Sequence, residues 1–378
     1  MKLTTAGESH GKALVAIIEG VPAHLKINLE AINSELSLRQ KGYGRGARQK
    51  LEKDEIEILS GVRNGETLGS PIAFCIWNKD YQNWSDCMSV SACNDEKMLK
   101  KSLTKVRPGH ADLTGVLKFE QSDARNVLER ASARETAIRV AAGGIFKQYL
   151  STLGVEISGC VREVCSVKDD KEYSFDELKK SKTTELGILD NEKSELAKQQ
   201  IDALKISGDT AGGIVEIRVR GLKSGFGSMM SYAEKLDARL AGALMSIQGV
   251  KGVEIGMGFD AARTSGSLVH DEIFYGENGF FRKTNRAGGI EGGTSNGEEI
   301  VLKVAMKPIP TLMQGLKTVD YTTKEQAVAS SERSDVCAIF ALEIIAESVV
   351  AEVLANAVSE RLGGDTMSQV ITRYTALP

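Results

Sequence analysis

With 378 residues, 42% apolar and 26% charged, and a formal net charge of −3, the chain has the make-up of a soluble globular protein, which excludes disordered and fibrous classes. The slightly acidic balance argues against a general nucleic-acid binder. Length alone allows roughly two to three domains or one large one.

The N-terminal MKLTTAGESHG lacks the apolar core of a secretory signal. Residues 12–19, KALVAIIE, form a short apolar run with β-branched side chains and predict a strand. Residues 29–40 carry helical spacing, broken by KGYGRG. Residues 55–75 read as two strands around a glycine-rich turn. Residues 132–150 predict a helix opened by a capping box, Ser132 with Glu135, and stopped at Gly154. Residues 167–205 are charged and read as solvated surface helices without chemistry. Residues 212–221 alternate as a strand. Residues 232–247 place Leu236, Leu240, Leu244 and Ile247 on one helical face. The stretch 284–297, TNRAGGIEGGTSNG, reads as loop, and EIVLKVAMKP as a strand. A final helix runs from near Ser334 to Gly363. Its apolar stretch 338–358 includes Glu343, Glu347 and Glu352, which lipid would not accept cheaply, so a buried or interface helix is expected and no membrane span. Six cysteines without a CxxC spacing point to reduced thiols and a cytoplasmic setting. No repeat or low-complexity tract appears.

Several stretches could carry chemistry. Arg130 and Arg134 flank the start of the 132–150 helix, where unpaired N–H groups favour an anion; pairing with Glu129 and Glu135 on a surface is the equal alternative. RQKGYGRGARQK, residues 39–50, holds five basic residues and no acidic one. Its arginines could close on a phosphate or carboxylate, or it could be a weak RNA-binding loop. Neither GxxxxGK[ST] nor a strand–GxGxxG–helix context is present, which disfavours a P-loop ATPase and a Rossmann dehydrogenase. No spacing suggests a metal site. Of four histidines, His24 and His270 read as structural. His10, in GESHG, and His110, in RPGHAD, have small polar neighbours and suit proton transfer near neutral pH. Asp335, after Ser334 at a helix start, could merely favour the helix dipole. The residues alone describe an enzyme-like anion site with proton donors, without naming the reaction.

Ordered blocks then become specific: GESHG (7–11), RQKGYGRGAR (39–48), SGVRNGETLGSPI (60–72), RPGHADLTGVLKF (107–119), RNVLERASARETAIRVAAG (125–143), GDTAGG (208–213), GFGS (225–228), KLDARLAGALMSI (235–247), RAGGIEGGTSNG (286–297), KPIPTL (307–312) and ERSD (332–335). Together they make the chain resemble the chorismate synthases from end to end. The resemblance implies one domain over 1–378, of α+β class: a β-α-β sandwich with two antiparallel sheets packed face to face and surrounded by helices, assembled as a homotetramer. It implies a carbon–oxygen lyase of the shikimate pathway that converts 5-enolpyruvylshikimate 3-phosphate to chorismate by 1,4-anti elimination of phosphate. The reaction depends on reduced FMN although it is redox-neutral; NADPH would enter only indirectly, to reduce the flavin, with an external reductase expected.

By the same resemblance His10 protonates the departing phosphate, His110 protonates the flavin, and Asp335 acts in removing the C6 proton. Substrate-binding positions match Arg39, Arg45, Arg107 and Arg134. Flavin-binding positions match Arg48, Arg130, Ala131, Ser132, Gln248, Gly249, Gly292, Lys307, Pro308, Ile309, Pro310, Thr311 and Arg333. The chain departs from the family in having KPIPT for KPTSS, RSD for RHD, and Gln248-Gly249 for Asn-Ala. The first change shifts the expected flavin-phosphate contacts toward backbone N–H groups.

Overall fold

Alternation of buried and exposed side chains builds the sheets. Along Ala13–Glu19, Leu14, Ala16 and Ile18 turn inward. This strand lies between Lys2–Ala6 and Ile72–Trp77, and Glu57–Ile58 closes the other edge, giving a four-stranded antiparallel sheet. A second antiparallel sheet takes the spatial order Val250–Ile255, Ile300–Met306, Gly213–Arg220, Glu156–Val164, Val167–Lys168. The computed structural model describes residues 1–46, 53–91, 101–277, 279–329 and 334–378.

Helices fill the space between the sheets. Thr136–Ser151 packs on the first sheet, Ile339–Leu362 packs on the second, and the two helices pack on each other and on Leu29–Gln40. The layers run sheet, helices, sheet, as a β-α-β order requires; among the described residues the helices lie between the two sheets rather than around two sheets packed face to face. The reason lies in the Ile339–Leu362 helix. Its apolar residues run right round it, and 19 of its residues are buried, so it needs cover on every side. Close approach of the two central helices depends on Gly143, where an added Cβ would lie 2.2 Å from Ser348 Cβ. One contiguous apolar core joins both sheets to this layer. No helix among the described residues is long and apolar enough to cross a membrane.

Local differences from the sequence reading have physical causes. Ser132 does cap a turn, accepting from Arg134 N at 3.3 Å, but the turn is a 3-10 segment, Ala133–Glu135, and the α-helix proper is Thr136–Ser151. The expected capping box is absent there, because the Glu135 carboxylate accepts from Thr5 Oγ1 at 2.9 Å and Gln248 Nε2 at 3.4 Å instead. The last long helix begins at Ile339, not near Ser334, since Cys337 bridges to Ala211 and holds the segment extended. Asp335 therefore lies in a loop rather than in a first helical turn. The 284–297 stretch contains a small hairpin, Ile290–Glu291 with Thr294–Ser295. Within 167–205, Ser181 is fully buried and Lys182 Nζ reaches Glu347 Oε2 at 2.8 Å, so this region is not a solvated face throughout.

Candidate active site

The loop between the first two strands carries His10, and the short helix Arg125–Ala131 carries its partner. His10 N donates to Glu129 Oε2 at 2.8 Å, and His10 Nδ1 lies 2.9 Å from both Glu129 oxygens. Arg125 Nη1 reaches Glu129 Oε1 at 3.3 Å. Burial pushes the Glu129 carboxyl up, but the bonds from His10 and the charge of Arg125 outweigh it and hold the group below the usual range. The imidazole stacks on Trp84, centroid to centroid 3.9 Å.

Asn78 ties this loop to an arginine cluster. Its Nδ2 donates to Gly11 O at 2.7 Å, while its Oδ1 accepts from Arg134 Nε at 3.0 Å and Nη2 at 2.9 Å. Arg134 Nη1 also reaches Asp54 Oδ2 at 2.7 Å. Arg39 Nη1 lies 3.6 Å from the same oxygen, and its Nε donates to Thr136 Oγ1 at 3.0 Å. Asp54 is 3% exposed. Burial lowers Arg39 to about 9, with Asp54 opposing, so the guanidinium keeps its charge at neutral pH. Arg45 Nη1 pairs with Asp335 Oδ2 at 3.2 Å, and Gly46 N donates to Asp335 Oδ1 at 2.6 Å. Arg39, Arg45, Arg134, Asp54 and Asp335 thus share one electrostatic neighbourhood.

His110 sits in a second cluster. Its Nδ1 is in hydrogen-bond distance of Asp112 Oδ1. Arg107 donates to Asp112 from its backbone N at 3.1 Å and from Nε at 2.8 Å, and to Thr311 Oγ1 from Nη1 at 3.0 Å. Burial raises the Asp112 carboxyl, and the bonds from His110 and Arg107 reverse that strongly, leaving it well below the carboxylate range. Lys307 Nζ donates to Gly109 O, and Lys307 N to Gly249 O at 3.0 Å. Thr210 Oγ1 donates to Ile309 O at 2.7 Å.

The clusters join along two routes. Gln248, next to Gly249, donates to Glu135, which adjoins Arg134. On the other side Ala211 N donates to Val336 O and Val336 N to Gly44 O, each at 2.8 Å. These bonds connect the 307–311 segment, through 210–211, to Asp335 and the Arg45 loop. A cleft of about 450 Å³ between the Asp112–Phe119 and Arg125–Ala131 helices is lined by Ala111, Arg130 and Ala131. Of the sequence-expected residues, then, His10, His110, Asp335, Arg39, Arg45, Arg107, Arg134, Ser132, Gln248, Gly249, Lys307, Ile309 and Thr311 belong to one connected network. Arg130 is exposed at the cleft. Gly292 sits at the turn of the small hairpin, at φ +60° with open space where a Cβ would point. Arg48 and Arg333 lie outside the described residues. Arg125, Asp54, Asn78 and Trp84 complete the site without having been assigned a role in the sequence, because nothing in their local motifs marks them; Glu129, read there only as a surface partner for Arg130 or Arg134, is instead buried and pairs with His10 and Arg125. Asp112 is the exception, standing two residues from His110 in RPGHAD.

Comparison with known proteins agrees on one family. The chorismate synthase family profile matches residues 1–359. The chain is 52% identical over 384 residues to the chorismate synthase of Geobacter sulfurreducens, covering 99% of this chain and 97% of that one. It is 52% identical over 379 residues to that of Caldicellulosiruptor bescii, covering 99% and 98%. A chorismate synthase crystal structure superposes with a TM-score of 0.80 at 41% identity, covering 99% of this chain and 96% of the other.

Proposed function

The chain belongs to the chorismate synthase family, and we propose that it makes chorismate by 1,4-anti elimination of phosphate from 5-enolpyruvylshikimate 3-phosphate with reduced FMN as cofactor. The single observation that carries this reading is the joining of His10, His110 and Asp335 through one arginine-rich network.

The substrate is an anion with a phosphate and two carboxylates. Arg39, Arg45, Arg107 and Arg134 supply the matching charge, and the low exposure of their side chains strengthens each contact. Asp54 and Asp335 hold three of these guanidinium groups oriented before substrate arrives. His10 gives a proton to the leaving phosphate, His110 donates at the cofactor side, and Asp335 offers carboxylate oxygens to the C6 proton.

The residues fit a flavin. Among the described residues Gln248 Oε1 is buried without a hydrogen-bond partner, and Gly292 leaves open space beside the backbone. Arg48, Arg130, Ala131, Ser132, Gln248, Gly249, Gly292, Lys307–Thr311 and Arg333 would hold it. Within that last run Pro308 and Pro310 have no N–H and Lys307 N is committed to Gly249 O. Phosphate contacts therefore fall to the amides of Ile309 and Thr311 and to the Lys307 ammonium. Reduced flavin supplies the electron density that eases phosphate expulsion in a redox-neutral reaction.

The chain works as one domain in the cytoplasm, with flavin reduced by an external NADPH-dependent enzyme. Exposed Ile273, Tyr275 and Phe280 on a hairpin support burial between copies in a homotetramer. The RNA-binding alternative loses ground, since Tyr43 OH donates to Asp202 at 2.8 Å and Arg45 turns inward to Asp335. With reduced FMN under anaerobic conditions the protein is expected to release phosphate and chorismate together; equal turnover without flavin rejects the proposed mechanism.

A further inference from the structure

Each histidine of the network rests on a buried carboxylate that is itself pinned by an arginine: Glu129 with Arg125 behind His10, and Asp112 with Arg107 behind His110. The two arrangements come from unrelated segments. Glu129 is 119 residues from His10 and sits on a helix, whereas Asp112 is two residues from His110 and opens one. We propose that Glu129 and Asp112 are positioning residues that lock His10 and His110 as Nδ1–H imidazoles, leaving Nε2 of each ring as the only nitrogen that exchanges protons with substrate or cofactor. The inference rests on the assignment of both histidines as proton donors made above.

The argument is one of donor and acceptor counting. An ionised carboxylate only accepts, and arginine only donates. At His10, Nδ1 faces Glu129 at 2.9 Å with no donor interposed, so Nδ1 must carry the hydrogen. At His110, Nδ1 faces both Asp112 Oδ1 and Arg107 Nη2, the latter at 3.1 Å. Were Nδ1 to accept from Arg107, its lone pair would lie against a carboxylate oxygen. Donation to Asp112 removes that conflict and leaves the guanidinium its own bonds to the same carboxylate, Nε to Oδ2 at 2.8 Å and Nη2 to Oδ1 at 3.1 Å. A carboxylate behind Nδ1 also steadies the imidazolium that must give up its proton from Nε2.

The surroundings reinforce the geometry. Trp84 stacks on His10 and prevents the ring from turning; Lys101 Nζ lies 3.7 Å from the centroid of the same indole. His110 is backed by Arg107 and by the Lys307–Gly109 contact. Among the described residues, the charged groups against His10 and the Trp84 stacked on it are Glu129, Arg125 and Lys101, and those against His110 and the adjoining Gly109 are Asp112, Arg107 and Lys307. In both sets the carboxylate is the group bonded to the ring.

Glutamine and asparagine test the lock without changing shape. Glu129 accepts from His10 N, His10 Nδ1 and Arg125 Nη1 across its two oxygens. One amide oxygen cannot serve all three. In Glu129→Gln either flip leaves one oxygen and one NH2 within 2.9 Å of Nδ1, so the ring is no longer held to a single tautomer. In Asp112→Asn the oxygen stays on Arg107 N and Nε and the NH2 turns to His110 Nδ1.

Long-range 1H–15N correlation spectra of the full chain with 15N-labelled histidine, followed through the titration, read the tautomer directly. His10→Gln and His110→Gln variants assign the signals. The expected result is the Nδ1–H form for both neutral rings, the appearance of an Nε2–H form at His10 alone in Glu129→Gln, and a switch to Nε2–H at His110 alone in Asp112→Asn. In the phosphate-release assay each variant is expected to lose about 10²-fold in kcat with KM nearly unchanged. Neutral Nε2–H signals from either histidine in the unaltered protein overturn the inference, and that measurement needs no variant to fold. Tautomers as stated in a protein that releases no phosphate reject the proposed function and leave the positioning intact.

Discussion

Replacing His10 or His110 with Gln is expected to lower turnover by about 10²–10⁴-fold, the worth of a positioned acid, while the chain stays folded. His10 is 8% exposed and stacked on Trp84, so glutamine, which keeps polarity and much of the bulk, separates lost chemistry from a collapsed loop better than alanine. His110 is less buried and sits on a corner formed by Pro108 and Gly109, the latter at φ +76°; its ring contributes little to the core. Single-turnover phosphate release measures the loss, and urea unfolding checks the fold. Substrate affinity should change much less than turnover, since the anion charge is met by Arg39, Arg45, Arg107 and Arg134. Near-full rates in both variants would mean that other groups carry the protons.

How much of this was legible in the sequence depended on whether the signal was local. The Ala13–Glu19 strand and the Leu236–Met245 helix follow from apolar periodicity alone. GESHG and RPGHAD marked their histidines because glycine and proline beside a histidine are locally visible. Glu129 and Asp54 were not, since their roles exist only once Arg125–Ala131 meets the His10 loop and the segment after residue 52 meets Arg39. The capping-box reading of Ser132 and Glu135 failed for the same reason: a distant partner, Gln248, competes for the Glu135 carboxylate. Layer order was also illegible from periodicity. A helix buried on all sides reads the same whether it lies under one sheet or between two, and only the packing of Ile339–Leu362 against both its neighbouring helices and the second sheet decides it.

The largest stability effect is expected in the middle layer, at Lys182. Its ammonium reaches Glu347 Oε2 at 2.8 Å and Glu35 Oε1 at 3.7 Å, while Lys147 reaches Glu35 Oε2 at 2.6 Å and Glu347 Oε2 at 2.7 Å. Glu343 and Glu347 are both fully buried. Three carboxyl groups against two ammonium groups leave one negative charge over, and a proton removes it. Glu343 is where the proton rests: burial pushes its carboxyl up to about 8, the neighbouring Glu347 charge adding to the rise. Ser181 Oγ lies 2.8 Å from Gly159 O and 2.6 Å from Glu343 Oε1. With one hydroxyl hydrogen and a carbonyl that only accepts, a protonated Glu343 satisfies both neighbours. Lys182→Met strips a cation from buried carboxylates and should cost about 3–5 kcal/mol, as breaking a buried pair does. Glu343→Gln mimics the protonated acid and should be nearly neutral at pH 5. The pH dependence has a definite sign. Between the unfolded value near 4.5 and the folded value of about 8, the folded chain holds a proton that the unfolded chain has lost. Stability from this group therefore falls as pH rises, by about 1.4 kcal/mol per pH unit, and is gone above pH 8. Urea midpoints of the unaltered protein and Glu343→Gln from pH 5 to 8.5 should diverge, the variant becoming the more stable as pH rises; parallel curves would place the proton elsewhere.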